Sequence, residues 1–255
     1  MNETSTNPSS RPNWFWYIFI ASIILLLPWT YFLVPLENRV AIKLRLQGFK
    51  IIHNPRGVTW RWYCPTHFGN YQFRQYPEVT DEVLAELQKM PHLFSVSFGD
   101  TDLSQINLEL LTKVPALEHF QVLNNTDPAW SPKDINKLSG CLRLRNIMLM
   151  KVPLTNKEIE PLKACPITHL SFISAGLTDA DSAVFTLFPT LETLQLRDNP
   201  GITDSSLAIF ETISSLRYLS VQGTGVTQEG VEAFQNKRPD VKLRTDWVDN
   251  FGWGP

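Results

Sequence analysis

The chain has 255 residues, enough for one large or two small domains, and its 43% hydrophobic and 19% charged residues exclude wholesale disorder. Its 23 basic and 25 acidic residues nearly balance, so it lacks the basic excess that neutralising phosphates requires, and we expect no nucleic-acid partner. Its three cysteines (Cys64, Cys141 and Cys165) are too few and too scattered for a disulfide framework.

An apolar segment near the amino terminus predicts a transmembrane helix. Residues 1–13 are polar and without periodicity, which is typical of a disordered tail, and residues 14–34 then carry no charge. At about 1.5 Å per residue, these 21 residues span about 31 Å, which is the hydrocarbon thickness of a bilayer. Aromatic residues stand near both ends of the segment, as they do at membrane interfaces: Trp14, Trp16, Tyr17, Trp29 and Tyr31.

Two alternatives compete with this anchor, a cleaved signal peptide and a buried core helix. A signal peptide has a shorter apolar core and ends at small residues, whereas Trp29-Thr30-Tyr31-Phe32 is a poor cleavage site. A core helix has a polar face, and residues 14–34 have none. The composition therefore favours a retained anchor.

The charges that flank the segment predict its orientation. Four basic residues follow it within a short distance, whereas Arg11 and the amino terminus precede it. By the positive-inside rule, the large domain is expected on the cytoplasmic side of the membrane. The four residues are Arg39, Lys43, Arg45 and Lys50.

Residues 35–78 are predicted to be a linker followed by an N-terminal β-hairpin cap. Residues 49–52 and 58–62 are rich in β-formers, and they flank the turn-forming stretch His53-Asn54-Pro55-Arg56-Gly57. A cap is needed because the first unit of a repeat array otherwise exposes its core to water. Residues 244–255, with Trp247, Phe251 and Trp253, are predicted to close the other end.

Residues 79–243 repeat one pattern over about seven units. A threonine or serine that follows an apolar residue recurs at steps of 23 to 27 residues, and further apolar residues follow it at the same offsets in each unit. The starting pairs are Val79-Thr80, Leu103-Ser104, Trp130-Ser131, Leu154-Thr155, Leu177-Thr178, Ile202-Thr203 and Val226-Thr227.

Each offset in the unit has a physical reason. The threonine or serine is predicted to cap a helix, and Asp81, Asp179 and Asp204 follow it where a negative charge suits the positive helix end. Apolar residues at every third position then place one stripe on a short helix, and an L-x-x-L-x-L stretch changes to the period of a strand. One unit cannot cover its own apolar face, so stacked units are predicted to form a parallel solenoid.

These units resemble the leucine-rich-repeat superfamily, and most of all its cysteine-containing and ribonuclease-inhibitor-like repeats. Residues 191–204 read LETLQLRDNPGITD, and residues 216–227 read LRYLSVQGTGVT. The resemblance covers about two thirds of the chain and implies an α/β horseshoe with a parallel sheet on its concave face. Similar arrays occur in F-box substrate receptors and in membrane-anchored bacterial proteins, so the resemblance implies binding without identifying a ligand.

The cysteines are better explained as core residues than as reactive groups. Cys141 and Cys165 occupy the offset that holds Met90, Val114 and Ile213 in other units. Cys64, His67 and His53 could supply three zinc ligands, but the C-x-x-C pairing and a fourth ligand are missing. No hydrolase, metalloprotease or phosphate-loop motif occurs. We therefore expect no enzyme activity, no metal and no cofactor.

The outward residues of the predicted strands form three columns on the concave face. The first column is Ser95, His119, Asn146, His169, Thr193 and Tyr218, the second is Ser97, Gln121, Met148, Ser171, Gln195 and Ser220, and the third is Gly99, Leu123, Met150, Ile173, Arg197 and Gln222. Four apolar side chains meet in the middle, and an exposed apolar patch with a polar rim is typical of a contact site. The candidate binding residues are Leu123, Met148, Met150, Ile173, His119, His169, Arg197 and Tyr218.

These patterns together predict a single-pass, membrane-tethered scaffold that binds a protein partner on the concave face of its solenoid. Two other functions compete with this one. A substrate-recognition subunit of a ubiquitin ligase would share such repeats, but it needs a three-helix F-box, and the residues before the array favour a hairpin instead. An enzyme would have to assemble its site from the histidines and cysteine of the cap.

Overall fold

The computed structural model describes residues 36–47, 50–54, 57–61, 79–99, 106–123 and 132–246. The predicted tail, the predicted transmembrane segment at residues 14–34, Cys64, and the aromatic residues at 247–255 lie outside the described residues. Within the ranges that are described, no helix combines the length and the apolar character needed to cross a bilayer.

The strands form one nine-stranded sheet in which spatial order follows chain order. The first two strands pair antiparallel as a hairpin, and each later strand joins its predecessor in parallel, one strand per repeat. The hairpin strands extend to Asn54 and Gly57, closer to the turn than expected. The strands are β1 Lys50–Asn54, β2 Gly57–Arg61, β3 Leu93–Gly99, β4 His119–Leu123, β5 Asn146–Met150, β6 His169–Ile173, β7 Thr193–Gln195, β8 Tyr218–Ser220 and β9 Lys242–Arg244.

Helical segments return the chain from each strand to the next. Four of the described segments are 3₁₀-helices where short α-helices were expected. The α-helices are α1 Leu36–Leu46, α2 Asp81–Leu87, α3 Asn156–Ile159, α4 Asp204–Phe210 and α5 Gln228–Lys237. The 3₁₀-helices are η1 Leu108–Lys113, η2 Pro132–Gly140, η3 Glu160–Ala164 and η4 Asp179–Leu187.

Helix α1 corrects the prediction that residues 35–78 hold only a linker and a hairpin. Its inner face buries Val40, Ala41 and Leu44, and Lys43 Nζ lies 2.8 Å from Glu86 Oε1 on α2. The sequence obscured this helix because large apolar residues also stand on its outer face, so no clean stripe is visible. The solenoid therefore begins with a helix in front of its hairpin.

The core is continuous along the array, and the repeated inward offsets fill it. Phenylalanines from successive repeats touch: the ring centroids of Phe172 and Phe185 are 6.2 Å apart, and those of Phe185 and Phe210 are 5.9 Å apart. Cys141 and Cys165 are buried free thiols, as their offset predicted. Burial raises the pKa of Cys141 to about 12 and that of Cys165 to about 11, so both thiols stay protonated and are poor nucleophiles.

In three places, an aspartate links one helix cap to the cap of the next repeat. Asp179 Oδ1 accepts a 2.8 Å bond from the N–H of Thr203, and Asp204 Oδ1 accepts one of 2.8 Å from the N–H of Thr227. Asp81 Oδ1 binds the N–H of Asn107 at 2.7 Å in the same way. These residues were assigned a role at their own helix end, but they also complete the cap of the following repeat.

Ser182 is polar, although the same position holds an apolar residue such as Leu207 in other repeats. A chain of hydrogen-bonded hydroxyls satisfies its side chain. Its Oγ lies 2.6 Å from Ser206 Oγ, and both serines are fully buried. Ser206 donates in turn to Asp179. The polar offset is therefore satisfied by the neighbouring repeat, and it extends the aspartate link into the core.

The pH dependence of stability should report on this network. Burial raises the pKa of Asp179, but hydrogen bonds from Ser206 and Thr203 outweigh that effect and hold the pKa below its ordinary value. A carboxyl group whose pKa is lower in the folded than in the unfolded chain stabilises the fold when the pH is above its unfolded-state pKa. That contribution is lost as the pH falls through its folded-state pKa. Urea unfolding from about pH 6 to about pH 3 should therefore show a weaker pH dependence for Asp179→Asn than for the wild type. Equal pH dependence in the two proteins would contradict the assignment.

The turns after β5, β6, β7 and β8 each use a left-handed residue at one repeated position. Lys151, Ser174, Asp198 and Gly223 have φ of 58°, 51°, 57° and 65°. The first three donate their N–H to a carbonyl of the next repeat at 2.8–2.9 Å. Gly223 donates instead to the carboxylate of Asp246, 2.9 Å from its N–H nitrogen to Oδ2. At Gly223, the side-chain carboxylate of Asp246 thus accepts where a backbone carbonyl of the next repeat accepts in the other three turns.

Candidate binding surface on the concave sheet

The strand register brings the predicted columns together. In the first column, His119 lies opposite Asn146, which lies opposite His169, and Thr193 and Tyr218 follow. In the second, Met148 lies between Gln121 and Ser171, and in the third, Met150 lies opposite Ile173. The outward residues of neighbouring repeats are therefore direct cross-strand neighbours, about 5 Å apart.

The four apolar residues form the floor of this face rather than a fully exposed patch. Leu123, Met148, Met150 and Ile173 are each half-buried. Long side chains on strands about 4.8 Å apart lean against one another and cover part of each other's surface. We call these four residues the apolar floor. Its side chains still reach the solvent in the middle of the concave face.

The two histidines of the first column have separate surroundings. The rings of His119 and Phe94 meet edge to face with centroids 5.6 Å apart. His169 Nδ1 lies 2.8 Å from Thr168 Oγ1. Asn146 stands between the two histidines in the register, and among the described residues no three potential ligands gather around a possible metal position. The histidines are therefore placed to donate or accept hydrogen bonds along one edge of the apolar floor.

Arg197 and Tyr218 lie on the carboxyl-terminal side of the apolar floor. The side chain of Arg197 is 58% exposed, and its Nε lies 3.3 Å from Asp198 Oδ2. Tyr218 is half-buried and lies between Thr193 and Lys242 in the register. An exposed ion pair of this kind is weak, so the guanidinium can exchange its partner for a carboxylate of a ligand.

Several serines of the columns are buried, which the sequence did not reveal. Ser95, Ser97 and Ser171 are 7%, 3% and 5% exposed, and Gly99 is buried too. Ser171 Oγ donates a 3.3 Å bond to Gln195 Oε1. The outward positions of β3 are therefore covered, and the accessible concave face runs from β4 to β9. A small side chain between larger neighbours is the only sequence signal for such burial.

The charged residues of the accessible face lie on its carboxyl-terminal side. From β4 to β8, none of the outward positions described is acidic and Arg197 is basic. In the last repeat, Lys242 and Arg244 are basic, and Asp246 continues the third column in line with Gln222. The carboxylate of Asp198 follows the third column and lies in a turn. The surface thus pairs a central apolar floor with a basic carboxyl-terminal side.

One other surface feature lies away from the sheet. Thr112, Val114, Pro115, Gly140 and Arg143 line a shallow groove beside Leu142, which is 75% exposed. Arg143 is held there by Glu118, with 3.0 Å between Nη2 and Oε1. A single exposed leucine is ordinary on a protein surface, so the concave face remains the better candidate.

No family model and no curated protein sequence matches the chain. Among solved structures, an internalin from Listeria monocytogenes is similar, with 14% identity, a TM-score of 0.43, and coverage of 68% of this chain and 52% of the other. A protein from Bacteroides fragilis has 15% identity, a TM-score of 0.37 and coverage of 68% and 61%. A leucine-rich-repeat protein from Leptospira interrogans has 10% identity, a TM-score of 0.26 and coverage of 62% and 62%. The chain thus spans between about half and two thirds of the length of these proteins.

The leucine-rich-repeat architecture rests on the structure of this chain itself. One parallel strand per repeat, a helical return and a continuous core from repeated apolar offsets are the features that define such a solenoid. The predicted leucine-rich-repeat architecture is therefore confirmed by the fold.

Proposed function

We propose that this leucine-rich-repeat solenoid is a protein-interaction scaffold that binds its partner on the concave face. The observation that carries the proposal is the apolar floor, which lies on the three adjacent strands β4, β5 and β6, where no described outward position is acidic. Central apolar contacts with a polar rim are the usual arrangement of a binding site. We further propose that residues 14–34 tether the scaffold to a membrane, with its repeats on the cytoplasmic side.

The chemistry of the face defines the kind of partner that it suits. Apolar side chains of the partner would pack on Met148 and Ile173, and His119 and His169 would supply hydrogen bonds at the edge. A carboxylate on the partner would pair with Arg197, whose side chain is 58% exposed. The partner segment therefore presents apolar residues followed by acidic ones, and electrostatic complementarity fixes its direction.

Met148→Glu is expected to reduce partner capture by tenfold or more, on the order of 1.4 kcal/mol or above, because it places a charge at the centre of the apolar contact. Proximity labelling from the full-length protein, quantified for wild type and variant, measures the effect. Met148 is half-buried and points away from the core, so thermal unfolding should change little.

Two matched variants test whether this effect belongs to the site. Leu142→Glu makes a similar change at a side chain that is 75% exposed and off the concave face, so it should leave capture unchanged. Ile147→Glu makes the change at a fully buried neighbour and should unfold the array. A folded Met148→Glu protein that captures every partner as well as the wild type would move the site elsewhere.

The tether is tested separately. Alkaline carbonate should leave the full-length chain in the membrane pellet, because about a dozen large apolar residues favour insertion of residues 14–34 by roughly 4–7 kcal/mol. A shortened chain that begins at Leu36 should appear in the supernatant. Release of the full-length chain by carbonate, or a mature amino terminus near residue 36, would contradict the proposal.

A further inference from the structure

Helix α1 carries most of the large apolar side chains that the described part of the chain exposes. Five such side chains are exposed there, and three lie within its 11 residues: Leu36 at 54%, Ile42 at 42% and Leu46 at 84%. Single exposed apolar residues are ordinary, but a cluster on one short helix indicates a contact surface.

Cations frame this outer face. Arg39, Ile42 and Leu46 are spaced by three and four residues, so they share one stripe of the helix, and Arg45 neighbours Ile42 at a spacing of three. The opposite face is fixed on the solenoid by buried Val40, Ala41 and Leu44 and by the ion pair of Lys43 with Glu86. The helix sequence has three basic residues and one acidic residue, and no other described helix has three basic residues.

The position of α1 in the chain indicates which surface its outer face contacts. Pro35 alone separates α1 from the apolar segment at residues 14–34. If that segment spans a bilayer, the first turn of α1 stands at the level of the lipid headgroups. A face that combines apolar and basic side chains is the kind that binds an anionic lipid surface.

We propose that α1 lies on the surface of the membrane that holds the protein, with Ile42 and Leu46 in the interfacial region and Arg39 and Arg45 facing anionic lipid phosphates. This inference rests on the proposed tether and deepens it. The tether alone would let the solenoid rotate freely, whereas α1 in contact with lipid fixes the amino-terminal end of the solenoid against the membrane. The concave face would then be held at a constant angle to the bilayer.

The test uses the full-length chain in nanodiscs of phosphatidylcholine, with and without phosphatidylglycerol. Leu46→Cys, labelled with a small fluorophore in a Cys64→Ser background, reports its surroundings through two quenchers, a nitroxide lipid and aqueous iodide. Cys141 and Cys165 are buried with raised pKa values, so they should not be labelled. Leu142→Cys is the matched control, since its side chain is 75% exposed but distant in the array from α1.

In discs with phosphatidylglycerol, we expect the nitroxide lipid to quench the label at residue 46 several-fold more than the label at residue 142, and iodide to quench it less. Replacing both Arg39 and Arg45 by glutamine should lower the nitroxide quenching of the label at residue 46 several-fold, towards that of the label at residue 142, because two charges no longer meet the anionic surface. A label at residue 46 that behaves like the one at residue 142, or equal quenching with and without phosphatidylglycerol, would overturn the inference. Failure of the chain to elute with the discs would instead overturn the tether itself.

Discussion

Replacing Asn199 by alanine is expected to lower the free energy of unfolding by about 4 kcal/mol, since several buried groups lose their partners at once. The side chain of Asn199 is fully buried between two repeats. Its Nδ2 donates to the carbonyls of Phe172 and Leu196, both at 2.8 Å, and to that of Arg197 at 3.1 Å. Its Oδ1 accepts from the N–H groups of Ala175 and Leu177 at 3.0 and 3.1 Å.

Alanine at this position would leave buried backbone donors and acceptors without hydrogen-bond partners, because water cannot take the place of the amide in the core. Urea unfolding at neutral pH measures the loss. The control is Asn146→Ala, which removes a half-buried asparagine from the concave face and should cost no more than about 1 kcal/mol. A loss for Asn199→Ala as small as that of the control would show that the three bonds to the preceding repeat, at Phe172, Ala175 and Leu177, do not join the two repeats as described.

Arg238→Ala is expected to cost about 3 kcal/mol and to loosen the carboxyl-terminal end of the array. The guanidinium donates to three carbonyls of the preceding repeat, those of Glu211, Ile213 and Leu216, at 2.9–3.0 Å. Asp240 holds the guanidinium in place by accepting two further hydrogen bonds of 2.9 Å, one on each carboxylate oxygen. These carbonyls lie at the end of a helical return, where backbone acceptors have no partner within the helix and a positive charge is favourable.

Hydrogen exchange resolved along the chain distinguishes this effect from general destabilisation. Exchange in Arg238→Ala should increase first in α4, β8 and α5, because stability in a repeat array is carried between neighbours and a terminal repeat opens most readily. Arg143→Ala is the control, since that side chain is 63% exposed in a surface pair with Glu118 and should change little. Uniform exchange along the array, or none beyond the control, would contradict a capping role for Arg238.

The fold was predictable wherever one residue position has one physical task in every repeat. The inward leucines and the buried Cys141 and Cys165 could be placed from their offsets, because each repeat must cover the same area of its neighbour. Helix α1 could not, since it occurs once and carries apolar residues on both faces. The 3₁₀ character of four returns was not predicted either, although apolar residues at every third position also fit the three residues per turn of a 3₁₀-helix.

The arrangement of residues in the candidate site could be predicted from the sequence, but their solvent exposure could not. Strand periodicity placed Met148 and Ile173 in their columns, since every second residue of a strand points to the same side. It could not tell that these side chains are half-buried or that Ser97 and Ser171 are covered. Accessibility on a curved sheet depends on how neighbouring side chains lean on one another, and that arrangement is not local in sequence.

The aspartate links also define how such an array can grow or shrink. The Asp179 carboxylate and the Thr203 cap that it completes are 24 residues apart, and Asp204 and Thr227 are 23 apart, so donor and acceptor recur once per repeat. A duplication or deletion of one full period in this part of the array would join an aspartate to a new threonine, so that these helix caps stay complete. A deletion of any other length would leave one of these caps without its carboxylate. Changes in repeat number are therefore far less disruptive than insertions of equal size that are out of phase.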